Sequence, residues 1–140
     1  MNTYYIKDQE FLNSKIYQDY LKDNPSEGML RVRAFAANQA VPVKGMEIIV
    51  STVYENSKII FYDGLTNESG VVENINLPAP KLNPDNLDAP NAAKYDIEAK
   101  YVPDNIDTFY KVNIYEDICV VQNISVVPKV DLNVGGFNGR

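Results

Sequence analysis

Residues 29–36 read MLRVRAFA, with Leu30, Val32, Ala34 and Ala36 on one side of an alternation and Arg31 and Arg33 on the other. Side chains of a strand point to opposite faces in turn, so this spacing predicts a half-buried β-strand. Downstream the same period returns. MEIIVSTV (46–53) and SKIIFYDG (57–64) are rich in β-branched and aromatic residues, and the polar turn Glu55-Asn56-Ser57 separates them. NQAVPVKG (38–45) is read as a turn punctuated by Pro42 and Gly45. TNESG (66–70) is a second, tight turn in which Gly70 supplies a positive φ, and VVENINL (71–77) runs on as a strand. KYDIEAKY (94–101) alternates through Tyr95, Ile97, Ala99 and Tyr101, and FYKVNIYE (109–116) and ICVVQNISVV (118–127) close the series before Pro128. About seven short strands with regular turns are the pattern of a β-sandwich.

Two stretches break the alternation. Prolines at 78, 80, 84 and 90 puncture PAPKLNPDNLDAPNAA (78–93), which predicts a long surface loop and neither a central strand nor a helix. In KDQEFLNSKIYQDYLKDNPSEG (7–28), Leu12, Ile16 and Tyr20, and again Tyr17 and Leu21, recur at the four-residue spacing of an amphipathic helix. Asp8 is the expected N-cap, Glu10 suits the positive end of the helix dipole, and Asn24-Pro25 marks the stop. A helix is expected over about 9–22.

The expected architecture is therefore all-β: a seven-stranded antiparallel prealbumin/Ig-like sandwich over 28–128. A helical arm (1–27) precedes it and a Gly-rich tail (129–140) follows. Val32, Ile48, Val50, Phe61, Ile97, Val112, Ile114 and Val121 are expected to be mainly buried.

Composition narrows the chemistry. The chain has 140 residues, 45% of them hydrophobic, which suits one domain with a real core. Its formal net charge of −6 argues against a nucleic-acid groove and against a polybasic membrane anchor. Histidine is absent, which removes Ser–His–Asp and Cys–His nucleophile activation and most zinc sites. The one cysteine, Cys119, sits in an apolar run and is read as a buried small hydrophobe. MNTYYIKDQEF shows no charged n-region followed by an apolar h-region, and no stretch approaches the roughly 18 apolar residues of a membrane helix. The expectation is a soluble protein made in the cytoplasm without export, open to incorporation into a virion.

The ordered set of small-residue turn (Pro42-Val43, Gly45), Thr66…Ser69-Gly70 turn, Leu77-Pro78-Ala79-Pro80 exit, Tyr95–Tyr101 strand and closing Val126-Val127-Pro128 resembles a known family. It is the carboxypeptidase regulatory-like (transthyretin-like) β-sandwich domain. The similar version occurs in clostridial spore cortex-lytic proteins and in related short proteins of Gram-positive bacteria and their phages. The resemblance covers about 28–128 and implies a non-catalytic module placed beside catalytic or anchoring parts. No enzyme domain is recognisable in this chain, so cortex-lytic activity does not carry over.

Asp85/Asp88 and Asp104/Asp107 could bring oxygens to Ca²⁺, but they show no EF-hand spacing, and solvated loop carboxylates are the expectation. Glu116-Asp117 could form an acid–base pair only if a cleft set their environments apart. No catalytic, cofactor-binding or metal-ligating residue is assigned. Ten tyrosines and no tryptophan point elsewhere, to interfaces, where one end of the ring is dry and the other wet. The candidate protein interface is Tyr4, Tyr5, Leu12, Ile16, Tyr17, Tyr20, Leu21 and Phe137. Either these residues dock the arm on another subunit, or the arm packs on its own sandwich.

The expected function is a structural or interaction module docking into a larger assembly of protein subunits, such as a phage virion or tail, with a homo-oligomer among the options. The alternative is an accessory module that binds peptidoglycan or a cell-wall hydrolase.

Overall fold

The computed structural model describes residues 1–36, 40–86, 88 and 90–127. It is an all-β sandwich of two sheets, as expected. The strands are β1 (Asn2–Tyr5), β2 (Ser26–Ala36), β3 (Val41–Pro42), β4 (Glu47–Tyr54), β5 (Ser57–Leu65), β6 (Val71–Ala79), β7 (Ala93–Tyr101), β8 (Ile106–Ile114) and β9 (Cys119–Val126). One sheet runs β1-β5-β4-β7-β8. The other is built on β2. Residues 26–33 of β2 pair with β6 and Phe35–Ala36 with β3, while β9 runs along 29–36 on the remaining edge. Leu30, Val32, Ile48, Val50, Ile59, Leu77, Ile97 and Ile114 are fully buried between the layers.

Turn chemistry sets the hairpins. Glu55 and Asn56 both take positive φ (47° and 58°), the left-handed pair that a two-residue hairpin between β4 and β5 requires. Gly70 has φ 74°, and a Cβ there would stand 2.5 Å from the Ala34 carbonyl oxygen. Asn67 completes that turn, its side-chain oxygen accepting from the Ser69 and Val71 amides at 2.9 and 3.1 Å.

The structure departs from the sequence expectations in several places. Nine strands are described where seven were expected, because β1 forms in the segment read as an arm and β3 in the stretch read as a turn. The expected helix is two: α1 (Gln9–Leu12) and α2 (Lys15–Asp23), because Ser14 turns out of the helix and caps the second, its hydroxyl accepting from the Tyr17 amide at 3.2 Å. Asp8 caps the first, as expected, accepting from Glu10. The strands are not all antiparallel: β1 runs parallel to β5, and β9 parallel to β2. Pro78 and Ala79, assigned to the loop, end strand β6, which tolerates proline because β2 is its one strand partner among the described residues. Finally, Val121 and Cys119, read as buried, are exposed. They lie on β9, which among the described residues pairs with β2 alone and whose outward positions are exposed although the run is uncharged throughout.

Residues 1–27 are not a detached arm. The β1–β5 pairing, continued by the Ile6 amide donating to the Ile60 carbonyl at 3.1 Å, ties the N-terminus into the larger sheet. Helices α1 and α2 then cover the part of that sheet that the smaller one leaves bare, burying Phe11 and Tyr20 to 4% exposure. Each such ring is worth about 1.5–3 kcal/mol of transfer free energy, which a short isolated helix cannot supply for itself.

Candidate functional site

The aromatic residues that suggest an interface in the sequence are brought together, but mostly facing inward. Tyr4 stacks on Phe11 with centroids 4.8 Å apart. Tyr17 and Tyr20 meet Phe61 of β5 at 6.4 and 5.8 Å, and Tyr20 meets Tyr54 edge-on at 5.1 Å. The Tyr20 hydroxyl donates to the Tyr95 hydroxyl at 2.9 Å, and Tyr95 donates to the Pro78 carbonyl at 2.5 Å. That relay links α2, β7 and β6 through the core. Of the expected interface residues, Tyr20 is buried, Tyr4, Leu12, Ile16, Tyr17 and Leu21 are half-buried, and Tyr5 is exposed with the Lys7 ammonium 5.3 Å from its ring centre. Phe137 lies outside the described residues. For Tyr20 the interface assignment is corrected: its ring belongs to the chain's own core, packed on Tyr54 and Phe61 and hydrogen-bonded to Tyr95.

Two of these residues also reach a concave surface. Between α2 and β6 lies an open groove of about 650 Å³. Its floor is Ile6, Tyr17, Leu21, Phe61 and Pro78, and Asn24, Pro25, Ser26, Glu27 and Asn76 complete the lining. Four separate stretches (6, 17–27, 61 and 76–78) supply it, so no local pattern could reveal it. Phe61 and Pro78 read in sequence as a core residue and a loop breaker, and Asn76 only as part of the strand 71–77.

The polar groups around the groove are already committed or solvated. The Ser26 hydroxyl donates to one Glu116 carboxylate oxygen at 2.5 Å, and the other accepts from the Leu82 amide at 3.0 Å. Those two donors, the hydroxyl first, hold the Glu116 carboxyl below its ordinary pKa. A carboxylate so held is a weak base, and its partner Asp117 sits exposed in a turn at φ 60° with its amide donating to the Glu27 carbonyl. The pair pins β2 and the 80s loop together, which is the physical use of residues first weighed as an acid–base couple. Burial, and secondarily the Glu27 carboxylate, pushes the Tyr17 phenol up. Burial likewise raises Tyr20 and Tyr95, and with the Asp23 carboxylate it pushes Tyr54 up to about 12. All four are therefore neutral phenols near pH 7.

Asp85, Asp88 and Asp107 are exposed and Asp104 is half-buried. Among the described residues, no group of three or more Cys, Asp or Glu side chains is placed to hold a metal ion. No described helix is long and apolar enough to cross a membrane.

No family model matches the chain, and no curated protein matches it. Among solved structures it is similar to the 5-hydroxyisourate hydrolase of Klebsiella pneumoniae. The likeness has 16% identity and a TM-score of 0.48, over 70% of this chain and 90% of that one. A likeness of that size carries no argument about this chain's chemistry. The two-sheet sandwich rests on the strand pairings themselves.

Proposed function

We propose that the chain is a non-catalytic, transthyretin-like interaction module that binds a protein partner in the groove between α2 and β6, as a subunit of a larger assembly such as a virion or tail. The observation that carries this is the groove's make-up: aromatic and aliphatic floor, amide and carboxylate rim, and a serine whose hydroxyl is bonded to Glu116, a carboxylate that also holds the Leu82 amide. Such a surface offers apolar contact and hydrogen bonds without a nucleophile–base pair. The family resemblance over 28–128 supports the same class of function. The helical stripe is not the contact proposed, since Tyr17 and Tyr20 pack on Phe61 and Tyr54 of the chain's own sheet.

The test uses exposed rim positions, so that folding is untouched. A photo-crosslinker at Asn76 should join the chain to one discrete protein within its native assembly, and Asn76→Arg with Glu27→Arg should abolish both the crosslink and incorporation while leaving the melting temperature within a degree or two. Co-sedimentation with peptidoglycan that the double variant loses would favour the cell-wall alternative. Incorporation unchanged by the double variant would remove the groove from the function.

A further inference from the structure

The groove between α2 and β6 carries a single charged side chain in its lining, Glu27, and no lysine or arginine. Among the described residues no ion pair engages that carboxylate. Its charge is felt at the Tyr17 phenol, so carboxylate and ring border the same stretch of the groove. Beside them the Tyr17 and Phe61 rings stand with centroids 6.4 Å apart, tilted by 47°. The C-terminal end of α2 adds Leu21 and the cap residue Asn24, and the negative end of a helix dipole favours a cation.

The other polar groups offer mostly lone pairs. Ser26 donates its hydroxyl hydrogen to Glu116, so what its oxygen retains is acceptor capacity. Asn24 turns its amide nitrogen to the Tyr20 carbonyl at 3.0 Å and keeps its side-chain oxygen. Pro25 and Pro78 have no N–H to give. Tyr17 and Asn76 can serve as donor or acceptor. An anion or an acceptor-rich ligand would set lone pairs against lone pairs here, whereas a cation rich in N–H groups satisfies them.

We propose that the groove receives an arginine side chain from an extended segment of the partner protein, its guanidinium lying against the Tyr17 and Phe61 rings and donating to Glu27, Ser26 and Asn24. The inference rests on the groove being the partner site and names the residue that the site selects. A guanidinium is planar and weakly hydrated, so it stacks on a ring while its five N–H groups reach acceptors in its own plane. An ammonium is a strongly hydrated point charge with three donors, and suits the spread acceptors less well. The chain makes the same kind of contact internally, with the Arg33 guanidinium 4.6 Å from the centre of the Phe35 ring. Arg31 is held by Glu73 at 3.1 Å. The third arginine of the sequence, Arg140, is the competing occupant.

A nuclear magnetic resonance titration of the full 140-residue chain, followed at the Asn24 and Asn76 side-chain amides, tests the proposal. The probes are an end-blocked Gly-Arg-Gly peptide and the same peptide with lysine or neutral citrulline in the middle. The arginine peptide should bind on the millimolar scale, the lysine peptide roughly threefold and the citrulline peptide roughly tenfold more weakly. Glu27→Gln should weaken the arginine peptide roughly fivefold without moving the melting temperature. Asp107→Asn, on the opposite edge strand of the larger sheet from β1, should leave binding unchanged. Absence of any shift up to about 10 mM peptide, lysine or citrulline binding as tightly as arginine, or indifference to Glu27→Gln would each overturn the proposal. Binding that appears only in an Arg140→Gln chain would show the chain's own arginine in the groove, which also overturns it. A crosslink from Asn76 retained without any preference for arginine overturns this inference and leaves the partner site standing, and loss of both overturns both.

Discussion

Thr66 holds two separate pieces of backbone with one oxygen: its hydroxyl donates to the Val43 carbonyl at 2.6 Å and accepts from the Met46 amide at 3.0 Å, at 3% exposure. A buried donor and acceptor left unmet cost about 1–3 kcal/mol, so Thr66→Val should lower the unfolding free energy by that amount in urea titration. At Gly70 the conformation is the constraint. Gly70→Ala must hold a side chain at φ 74° against the Ala34 carbonyl and should cost about 1–3 kcal/mol, read in the same way. Glu116 makes the pH dependence local. Its folded pKa lies below the unfolded value, so its stabilisation is present above that value, and it is lost as pH falls through the folded pKa. Stability of the native chain should therefore fall on acidification below about pH 4.5, and Glu116→Gln should flatten that part of the profile. An identical acid limb in the variant would show that the Ser26 and Leu82 contacts are not linked to folding.

At the scale of elements, the segment 1–24 is the third wall of the core. Its removal strips Phe11 and Tyr20 from the sheet, bares Phe61, and leaves the Tyr95 hydroxyl without its donor. Deleting residues 1–24 should therefore lower the melting temperature by well over ten degrees or prevent folding, as expected for a loss of several kcal/mol from a domain of this size. A truncated chain melting within a few degrees of the full one would mean that the aromatic contacts add little. Within that wall, Tyr95→Phe leaves the Pro78 carbonyl and the Tyr20 hydroxyl without their shared partner, and should cost about 1–3 kcal/mol by the same measurement.

At the scale of the whole molecule, helix and sandwich share one core, so far-ultraviolet circular dichroism and tyrosine fluorescence should report a single coincident transition. The fluorescence is a clean probe because the chain has ten tyrosines and no tryptophan. Two separated transitions would divide the chain at about residue 25. Alternation alone determined the strands around Leu30, Ile48, Ile59 and Ile97, with their inward faces, and local turn chemistry determined Gly70, Asp8 and the stop at Asn24-Pro25. These are legible because a strand's period and a turn's φ depend on neighbours a few residues away. The groove was not legible, nor were the parallel pairings of β1 and β9, the burial of Tyr20 and the exposure of Cys119 and Val121. Each depends on which distant segment covers a given face. The period in 9–22 says that a stripe must be buried, and only the greater width of one sheet decides that the chain itself buries it. An uncharged run at 118–127 says strand, and only its pairing along β2 decides which of its positions are exposed.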